Sequence, residues 1–261
     1  MKTEPKSAIV VFDIDGVVRD VSGSYRRAIA DTVEKFTNSS YRPTMADIDE
    51  LKTEGIWNND WQASQELVYR YYESQGTVRE KVSISYEAIV DFFQKRYRGE
   101  NPDDFDGYIT SEPLLMSASY LKHLRQNNIG WGFFSGATRG SAQYILQKRL
   151  GLQQPVLVAM EDAPGKPNPT GLFDAVKQIT EQQSTIPVLY VGDTVADMQT
   201  VIAAKKERVN TKWIGVGVLP PHVQTDIQQT EKYRENLQQA GAAIVLKNVE
   251  ELSFEVIASL I

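Results

Sequence analysis

The sequence predicts an α/β fold, a doubly wound and mostly parallel Rossmann-like sheet with an inserted α-helical domain. Short apolar runs rich in Val and Ile recur along the chain, and helix-like segments lie between most of them from about residue 111 onward. Four helical patterns in succession, with no convincing strand between them, precede that region. Near-continuous apolar strands that alternate with helices are typical of a parallel sheet covered on both faces.

Six apolar runs are predicted to be the strands of this sheet. Each is brief and bounded by Gly, Asp or Pro residues, which favours a buried strand over a helix. In chain order they read AIVVFDID, IGWGFFSG, PVLVAM, PVLYVGD, WIGVGV and AAIVL. Segments with helical spacing, such as SASYLKHLRQNN and SAQYILQKRLG, lie between them.

The region between the first two strands carries the four helical patterns. They read YRRAIADTVEKF, TMADIDELKTEG, NDWQASQELVYRYYESQG and YEAIVDFFQKRYRG. Thr44 or Asp47 is expected to cap the second of these helices. We therefore predict a sheet domain formed by residues 1–19 and 111–261, with a helical domain formed by residues 20–110 inserted into it.

Composition limits the classes of function. The chain has 261 residues and a net charge of −6, and it lacks a long Lys/Arg run, which argues against a nucleic-acid or membrane surface. It has no cysteine, so disulfides, thiolate metal sites and a cysteine nucleophile are excluded. No apolar stretch approaches the length of a membrane span, and the N-terminus lacks a signal-peptide pattern. We expect a cytoplasmic protein; its oligomeric state stays open.

Charged side chains follow the predicted strands at the edge where ligands bind in such folds. The first strand ends in Asp13 and Asp15, separated by one residue, and another ends in Asp193, with Asp197 four residues on. Carboxylates placed so close together repel one another unless a cation holds them. Because Mg²⁺ prefers oxygen ligands, we expect Asp13 and Asp193 to share this cation.

Donors for a phosphate group follow two other segments. Ser135 and Gly136 end a strand, and Lys166 lies in a Gly/Pro-rich loop that opens a helix. A hydroxyl, neighbouring backbone N–H groups and an ammonium together supply donors for three phosphate oxygens. One carboxylate facing such a phosphate can act as a nucleophile, and a second carboxyl two residues on can serve as acid and base.

Each of these residues also has a structural interpretation. Single aspartates after strands are commonly turn formers or helix caps, and a single lysine such as Lys166 is usually a solvated charge. Ser135 is expected to cap a helix in addition to any role in binding. The four segments that hold these residues nevertheless occur together, each at the place in the predicted fold where ligands bind, and this combination favours the functional interpretation. ATPases and serine hydrolases are disfavoured because neither a Walker loop nor a G-x-S-x-G segment is present.

The four segments together resemble the motifs of the haloacid dehalogenase superfamily. They read DIDGVV, FFSGAT, GKPNP and VGDTVAD, in the family's order and on the expected elements. The resemblance implies that Asp13 is the nucleophile and a metal ligand. It further implies that Asp15 is the acid and base and binds the metal through its backbone carbonyl.

The remaining motif residues also take roles from this resemblance. Ser135 and Lys166 are expected to bind the phosphoryl group. Asp193 is expected to bind the metal, and Asp197 to support the metal site, either through a metal-bound water or through a hydrogen bond.

The inserted helical region resembles the cap domain of the family. About 120 positions separate Asp13 from Ser135 but only about 30 separate Ser135 from Lys166, so the cap follows the first motif. Its helical pattern resembles the cap of phosphoglycolate phosphatase-like enzymes. Within it, EGIWNNDWQ has two interpretations that we weigh equally: a substrate-facing loop, or a core Trp pair with a capping Asn. If this segment is a substrate-facing loop, its residues Trp57, Asn58 and Asn59 are expected to bind the substrate.

These expectations combine into one function. The sequence predicts a Mg²⁺-dependent phosphatase that hydrolyses a small phosphorylated metabolite, of phosphoglycolate or sugar-phosphate type, through an aspartyl phosphate. Dehalogenases and phosphonate-cleaving relatives are disfavoured because they depart from the motif at the position of Asp15. A phosphomutase on a sugar phosphate keeps both aspartates and stays an alternative, as does a non-catalytic regulator that retains the fold.

Overall fold

The computed structural model describes residues 6–54, 56–57, 59–101, 104–180 and 186–261. The chain divides into two compact units. Met1–Asp20 and Pro113–Ile261 form one unit, here called the sheet unit, and Val21–Glu112 form the other, here called the helical unit.

The helical unit contains the four predicted helices. They are α1 (Tyr25–Phe36), α2 (Met45–Thr53), α3 (Asp60–Ser74) and α4 (Tyr86–Tyr97). Thr44 caps α2, and Asp47 completes a capping box, because each side chain accepts a hydrogen bond from the other residue's backbone N–H. Tyr25 of α1 stacks on Tyr97 of α4 with ring centroids 4.2 Å apart. The helices thus pack around an aromatic and aliphatic core of their own.

The sheet unit contains six strands, all paired in parallel, in the order β3-β2-β1-β4-β5-β6. Their bounds are β1 Ala8–Phe12, β2 Ile129–Phe134, β3 Leu157–Val158, β4 Val188–Gly192, β5 Trp213–Val218 and β6 Ala242–Leu246. The predicted doubly wound parallel sheet with a helical insertion is therefore confirmed. The third predicted strand is the shortest, with two residues at the edge of the sheet.

Helices connect these strands. They are α5 (Ala118–Gln126), α6 (Arg139–Gln143), α7 (Thr170–Ile179), α8 (Val195–Glu207), α9 (Ile227–Gln239) and α10 (Phe254–Leu260). The predicted helix SAQYILQKRLG is only partly α-helical, because α6 continues as a π-helix over Tyr144–Arg149. Across the described ranges, no helix is both long enough and apolar enough to cross a bilayer.

Strand β1 lies at the centre of the sheet, between β2 and β4. Phe12 at its end is aligned with Phe133 on one side and Val191 on the other, so the carboxyl ends of the three strands meet at one edge. This is the topological switch point where ligands bind in doubly wound sheets.

Helices cover both faces of the sheet. Val11 of β1 packs in one cluster with Leu172 of α7 and Val201 of α8. The next residue, Phe12, points to the opposite face and contacts the ring of Tyr120 on α5, with centroids 6.2 Å apart. Because successive strand side chains alternate between faces, apolar residues occupy both sides of the central strand.

Helix α7 packs very closely against β2. A Cβ atom built on Gly171 would lie only 2.2 Å from Cε2 of the Phe134 ring. A glycine at this position therefore lets the helix and the strand approach each other.

We expect Gly171→Ala to destabilise the sheet unit. Alanine instead of glycine in a helix normally adds up to about 1 kcal/mol to the free energy of unfolding. Here the overpacking against Phe134 should reverse the sign and cost about 1–3 kcal/mol. Urea denaturation followed by circular dichroism measures this change. Gly165→Ala is the control, since no atom lies within 4 Å of a Cβ at that position. A stability of Gly171→Ala equal to that of the wild type would contradict the packing argument.

Candidate active site

The first motif is fixed by the backbone at the end of β1. The Asp13 N–H donates to the Val191 carbonyl at 2.8 Å, which ties this residue to β4. The chain then turns tightly: the Ile14 carbonyl accepts from the Val18 N–H at 2.7 Å. Asp13 itself is buried. The turn therefore holds a charged side chain away from bulk water at the switch point.

Gly16 lets two motifs approach each other. Its φ angle is +75°, a left-handed conformation that favours glycine. A Cβ atom here would lie 2.1 Å from Oδ2 of Asp193. The glycine of the first motif therefore leaves the room that the carboxylate of the fourth motif occupies.

Lys166 lies between two carboxylates. Its Nζ is 2.9 Å from Oδ2 of Asp13 and 2.6 Å from Oδ1 of Asp197. The rings of Phe134 and Tyr190 each have their centroid 5.6 Å from the ammonium. Burial alone would lower the pKa of Lys166, but Asp13 and Asp197 outweigh it and hold this pKa well above its ordinary value. Lys166 is thus a fixed positive charge beside Asp13.

Asp197 is fully occupied by protein donors. Its Oδ2 accepts from the N–H of Thr194 at 3.0 Å and from the hydroxyl at 2.6 Å, which forms the capping box of α8. Its Oδ1 accepts from Lys166, and the Tyr190 hydroxyl lies 3.0 Å from the same oxygen. Asp197 therefore holds Lys166 in place beside Asp13.

Tyr190 also contacts these groups, although it belongs to none of the four predicted motifs. Its hydroxyl lies in contact with Asp197 and with the Phe134 carbonyl, at 3.0 and 3.1 Å. Burial raises the pKa of Tyr190 well above its ordinary value, so the hydroxyl keeps its proton. The available signal was a single polar-tipped aromatic in the otherwise aliphatic strand VLYVG, since a buried tyrosine hydroxyl needs a partner.

Three carboxylates meet where a cation is expected. One oxygen each of Asp13, Asp193 and Asp197 lies within 4.8 Å of the other two, although the oxygens of Asp197 already accept hydrogen bonds from the protein. Oδ1 of Asp13 is buried and has no hydrogen-bond partner within the described part of the chain. A buried carboxylate oxygen without a donor is costly unless a cation binds it. The residues present therefore fit a hard divalent cation.

The electrostatics of these carboxylates agree with that fit. Burial raises the pKa of Asp13 to about 7; Asp197 and Asp15 add to this rise, and Lys166 opposes it. Burial raises the pKa of Asp193 well above its ordinary value, and the neighbouring Asp197 and Asp13 raise it further. Protons would therefore compete with a bound cation for this cluster near neutral pH.

The acid/base candidate has a partner that sequence analysis also missed. Asp15 accepts from Nε of Arg19 at 2.6 Å, and Nη2 of the same guanidinium lies 2.5 Å from the same oxygen, Oδ1. Arg19 is completely buried. A positively charged guanidinium, four residues after Asp15, therefore lies beside the first motif.

The second motif lies at the end of β2. The Ser135 N–H donates to the Val158 carbonyl at 3.0 Å, and its hydroxyl oxygen accepts from the Ala137 N–H at 3.1 Å. Gly136 is exposed in the same turn. The expectation that Ser135 also caps a helix is wrong, because the N-cap of α6 is Thr138 and the Ser135 hydroxyl closes a turn before it.

The predicted substrate residues of the helical unit have mixed outcomes. The indole N–H of Trp57 donates to Glu54 at 2.7 Å. Asn59 is the N-cap of α3 and accepts from two N–H groups of its first turn, at 2.9 and 3.2 Å. The capping interpretation of Asn59 is therefore confirmed, and substrate contact by Trp57 or Asn59 stays a prediction. Asn58 lies outside the described residues.

The comparisons with known proteins agree with the motifs. A family model described as haloacid dehalogenase-like hydrolase matches residues 8–205, which include all four motifs. The imidazoleglycerol-phosphate dehydratase of Phytophthora nicotianae is 32% identical over 243 residues. That match covers 91% of this chain and 49% of the relative, so the chain spans about half the length of this relative.

Solved structures share the fold. A hydrolase from Pseudomonas syringae is 21% identical, with a TM-score of 0.63 over 98% of this chain and 99% of its own. A protein from Haemophilus somnus 129PT, described as a predicted phosphoglycolate phosphatase, is 14% identical, with a TM-score of 0.63 over 98% of this chain and 100% of its own. The family model spans most of the sequence and contains the residues that form the site, so the protein belongs to the haloacid dehalogenase-like hydrolases.

Proposed function

We propose that the protein is a Mg²⁺-dependent phosphatase that hydrolyses the phosphate monoester of a small metabolite through a phosphorylated Asp13. The observation that carries this proposal is the state of the Asp13 side chain. One of its oxygens contacts Lys166 at 2.9 Å, while the other is buried and has no hydrogen-bond donor among the residues that the structure describes. A carboxylate held in this way beside a fixed ammonium can meet an anionic phosphate.

In the proposed reaction, an oxygen of Asp13 attacks phosphorus and the bond from phosphorus to the leaving oxygen breaks. Lys166 offsets the repulsion between the carboxylate and the phosphate, and Ser135 and the Gly136 N–H donate to phosphate oxygens. Asp15 gives a proton to the leaving oxygen and later takes one from the water that hydrolyses the aspartyl phosphate.

We assign the cation to Asp13 and Asp193, with the Asp15 backbone carbonyl as a further ligand. When bound, Mg²⁺ neutralises the carboxylates and the phosphate charge that meet at this edge of the sheet. Asp197 contributes by fixing Lys166, because both of its oxygens already accept hydrogen bonds from protein donors. Each of the three carboxylates in the cluster therefore has a role in this proposal.

The core residues address the phosphate group, which all phosphate monoesters share. We propose a phosphoglycolate-type or sugar-phosphate ester, and we propose that the helical unit determines which leaving group is accepted. The name of the Phytophthora relative, imidazoleglycerol-phosphate dehydratase, mentions a phosphate ester that bears an imidazole ring. A substrate panel should therefore include esters of this kind.

Asp13→Asn should abolish phosphate release while the fold is retained, because an amide does not form the acyl phosphate. The measurement is phosphate release from the ester panel with Mg²⁺, with mass spectrometry of acid-quenched wild type to detect the phosphoryl group on Asp13. The control is Asp174→Asn, the same change on α7 away from the motifs.

Three outcomes discriminate between the alternatives. More than trace activity in Asp13→Asn would remove this residue as nucleophile. An isomeric phosphate ester in place of free phosphate would identify a phosphomutase. Wild-type protein that turns over no ester of the panel, with or without Mg²⁺, would favour a non-catalytic regulator.

Mg²⁺ binding should weaken as pH falls through about 7. Burial raises the pKa of Asp13 to about 7 in the metal-free protein, so below this pH a proton occupies the carboxylate that the cation needs. Isothermal titration calorimetry at pH 6 and pH 8, in two buffers of different ionisation enthalpy, measures both the affinity and the proton release.

Asp193→Asn should weaken Mg²⁺ binding at least about tenfold at pH 8, whereas Asp174→Asn should leave it unchanged. Equal affinities at the two pH values, or full phosphatase activity in excess chelator, would contradict the metal assignment.

Trp57→Ala should change the ranking of esters rather than the chemistry. We expect kcat/KM for the best metabolite to fall about tenfold or more, and kcat/KM for p-nitrophenyl phosphate to change much less. Trp57→Phe is the matched variant, since it keeps a ring but loses the N–H that donates to Glu54. Parallel losses on both esters, or no loss on either, would show that Trp57 belongs to the core of the helical unit.

A further inference from the structure

Arg19 is the largest completely buried side chain in the part of the chain that the structure describes. A buried guanidinium is costly unless its donors are satisfied. The backbone around it is fixed: the Gly16 N–H donates to the Arg19 carbonyl at 2.9 Å, and the Asp20 N–H donates to the Pro113 carbonyl at 2.9 Å. The backbone that carries the guanidinium is therefore fixed by the turn that also forms the first motif.

The contacts between Arg19 and Asp15 are asymmetric. Nε and Nη2 of the guanidinium approach the same carboxylate oxygen, Oδ1, at 2.6 and 2.5 Å. The Asp15 side chain is 28% exposed and the Arg19 side chain is 0% exposed, so a buried group orients a partly exposed one. Two donors on Oδ1 leave no room for a proton there. A proton on this carboxyl group therefore belongs on Oδ2.

We propose that Arg19 is a positioning residue that makes Oδ2 of Asp15 the oxygen that carries the transferred proton. This inference rests on the proposed phosphatase function. As Asp13 forms its bond to phosphorus, the bond to the leaving oxygen breaks, and that oxygen keeps the electron pair and takes the proton from Oδ2. In the second step a water oxygen attacks the phosphorus, Oδ2 takes back a proton, and the bond to Asp13 breaks to release phosphate.

The proposal predicts that the effect of losing Arg19 depends on the leaving group of the ester. An alkoxide leaves poorly and needs the proton as the bond breaks, whereas p-nitrophenolate leaves without it. A loss of the orientation of Asp15 should therefore slow phosphoryl transfer from alkyl esters selectively. A residue that merely stabilises the fold should slow both kinds of ester together.

The test compares kcat/KM for the best alkyl phosphate with that for p-nitrophenyl phosphate, at saturating Mg²⁺, in wild type and Arg19→Met. This parameter covers the reaction up to the first irreversible step, the phosphorylation of Asp13. We expect a loss of about 100-fold for the alkyl ester and about threefold for the activated ester. Asp15→Asn should show the same selective loss, and adding Arg19→Met to it should cost little more, because the two residues act as a unit.

Two further variants complete the design. Arg19→Lys keeps the charge but offers one ammonium instead of two guanidinium donors, so it should show a smaller selective loss; it also carries the test if Arg19→Met does not fold. Arg208→Met is the control for loss of an arginine, since this residue stacks over Phe173, 3.9 Å from its ring centroid, beyond the far end of α8. Circular dichroism and Mg²⁺ titration of each variant report the fold and the metal site.

The possible outcomes distinguish a failure of the role of Arg19 from a failure of the proposed phosphatase function. Equal losses on both esters, or no loss on either, would overturn the role of Arg19 and leave the phosphatase proposal intact. Full additivity of Arg19→Met and Asp15→Asn would also overturn it. Wild-type protein that hydrolyses neither ester would instead overturn the proposed function itself.

Discussion

The ion pair of Lys166 with Asp13 and Asp197 is the interaction on which the site depends. Asp13, Asp193 and Asp197 bring three carboxylates to one edge of the sheet, and a single ammonium lies among them. If all four groups are ionised, two negative charges remain in a poorly solvated place. A bound divalent cation would balance that excess. Without one, protons reduce it, which is the physical meaning of the raised pKa values of Asp13 and Asp193.

Structural and chemical roles are combined in the same side chains. Asp197 caps the first turn of α8 with one oxygen and holds Lys166 with the other. Gly16 permits a left-handed turn and also leaves space for Asp193. Loss of either residue would therefore disturb local backbone geometry and electrostatics together, so kinetic effects at such positions need a measurement of folding beside them.

Much of the fold and part of the site could be predicted from the sequence, because strand burial and motif order are local signals. The six apolar runs and the cap of Thr44 on α2 follow from such patterns. The partners of Arg19 and Tyr190 do not, since they depend on a tight turn and on which strand face meets which loop. Asn59 shows the same limit: an Asn before a helix suits a cap and a binding loop equally, and its role as a cap is visible only in the two backbone N–H groups that donate to its side chain.

The close contact of α7 with β2 has a consequence for mutational tolerance. The Phe134 ring that Gly171 accommodates is also the ring beside the Lys166 ammonium, and the Phe134 carbonyl lies in contact with the Tyr190 hydroxyl. A side chain at position 171 would thus push on a wall of the proposed phosphate site from outside the loops that carry the four motifs. Residues that touch no reacting atom can therefore be as restricted in size as the motif residues, and a search for substitutable positions should treat the inner face of α7 as part of the site.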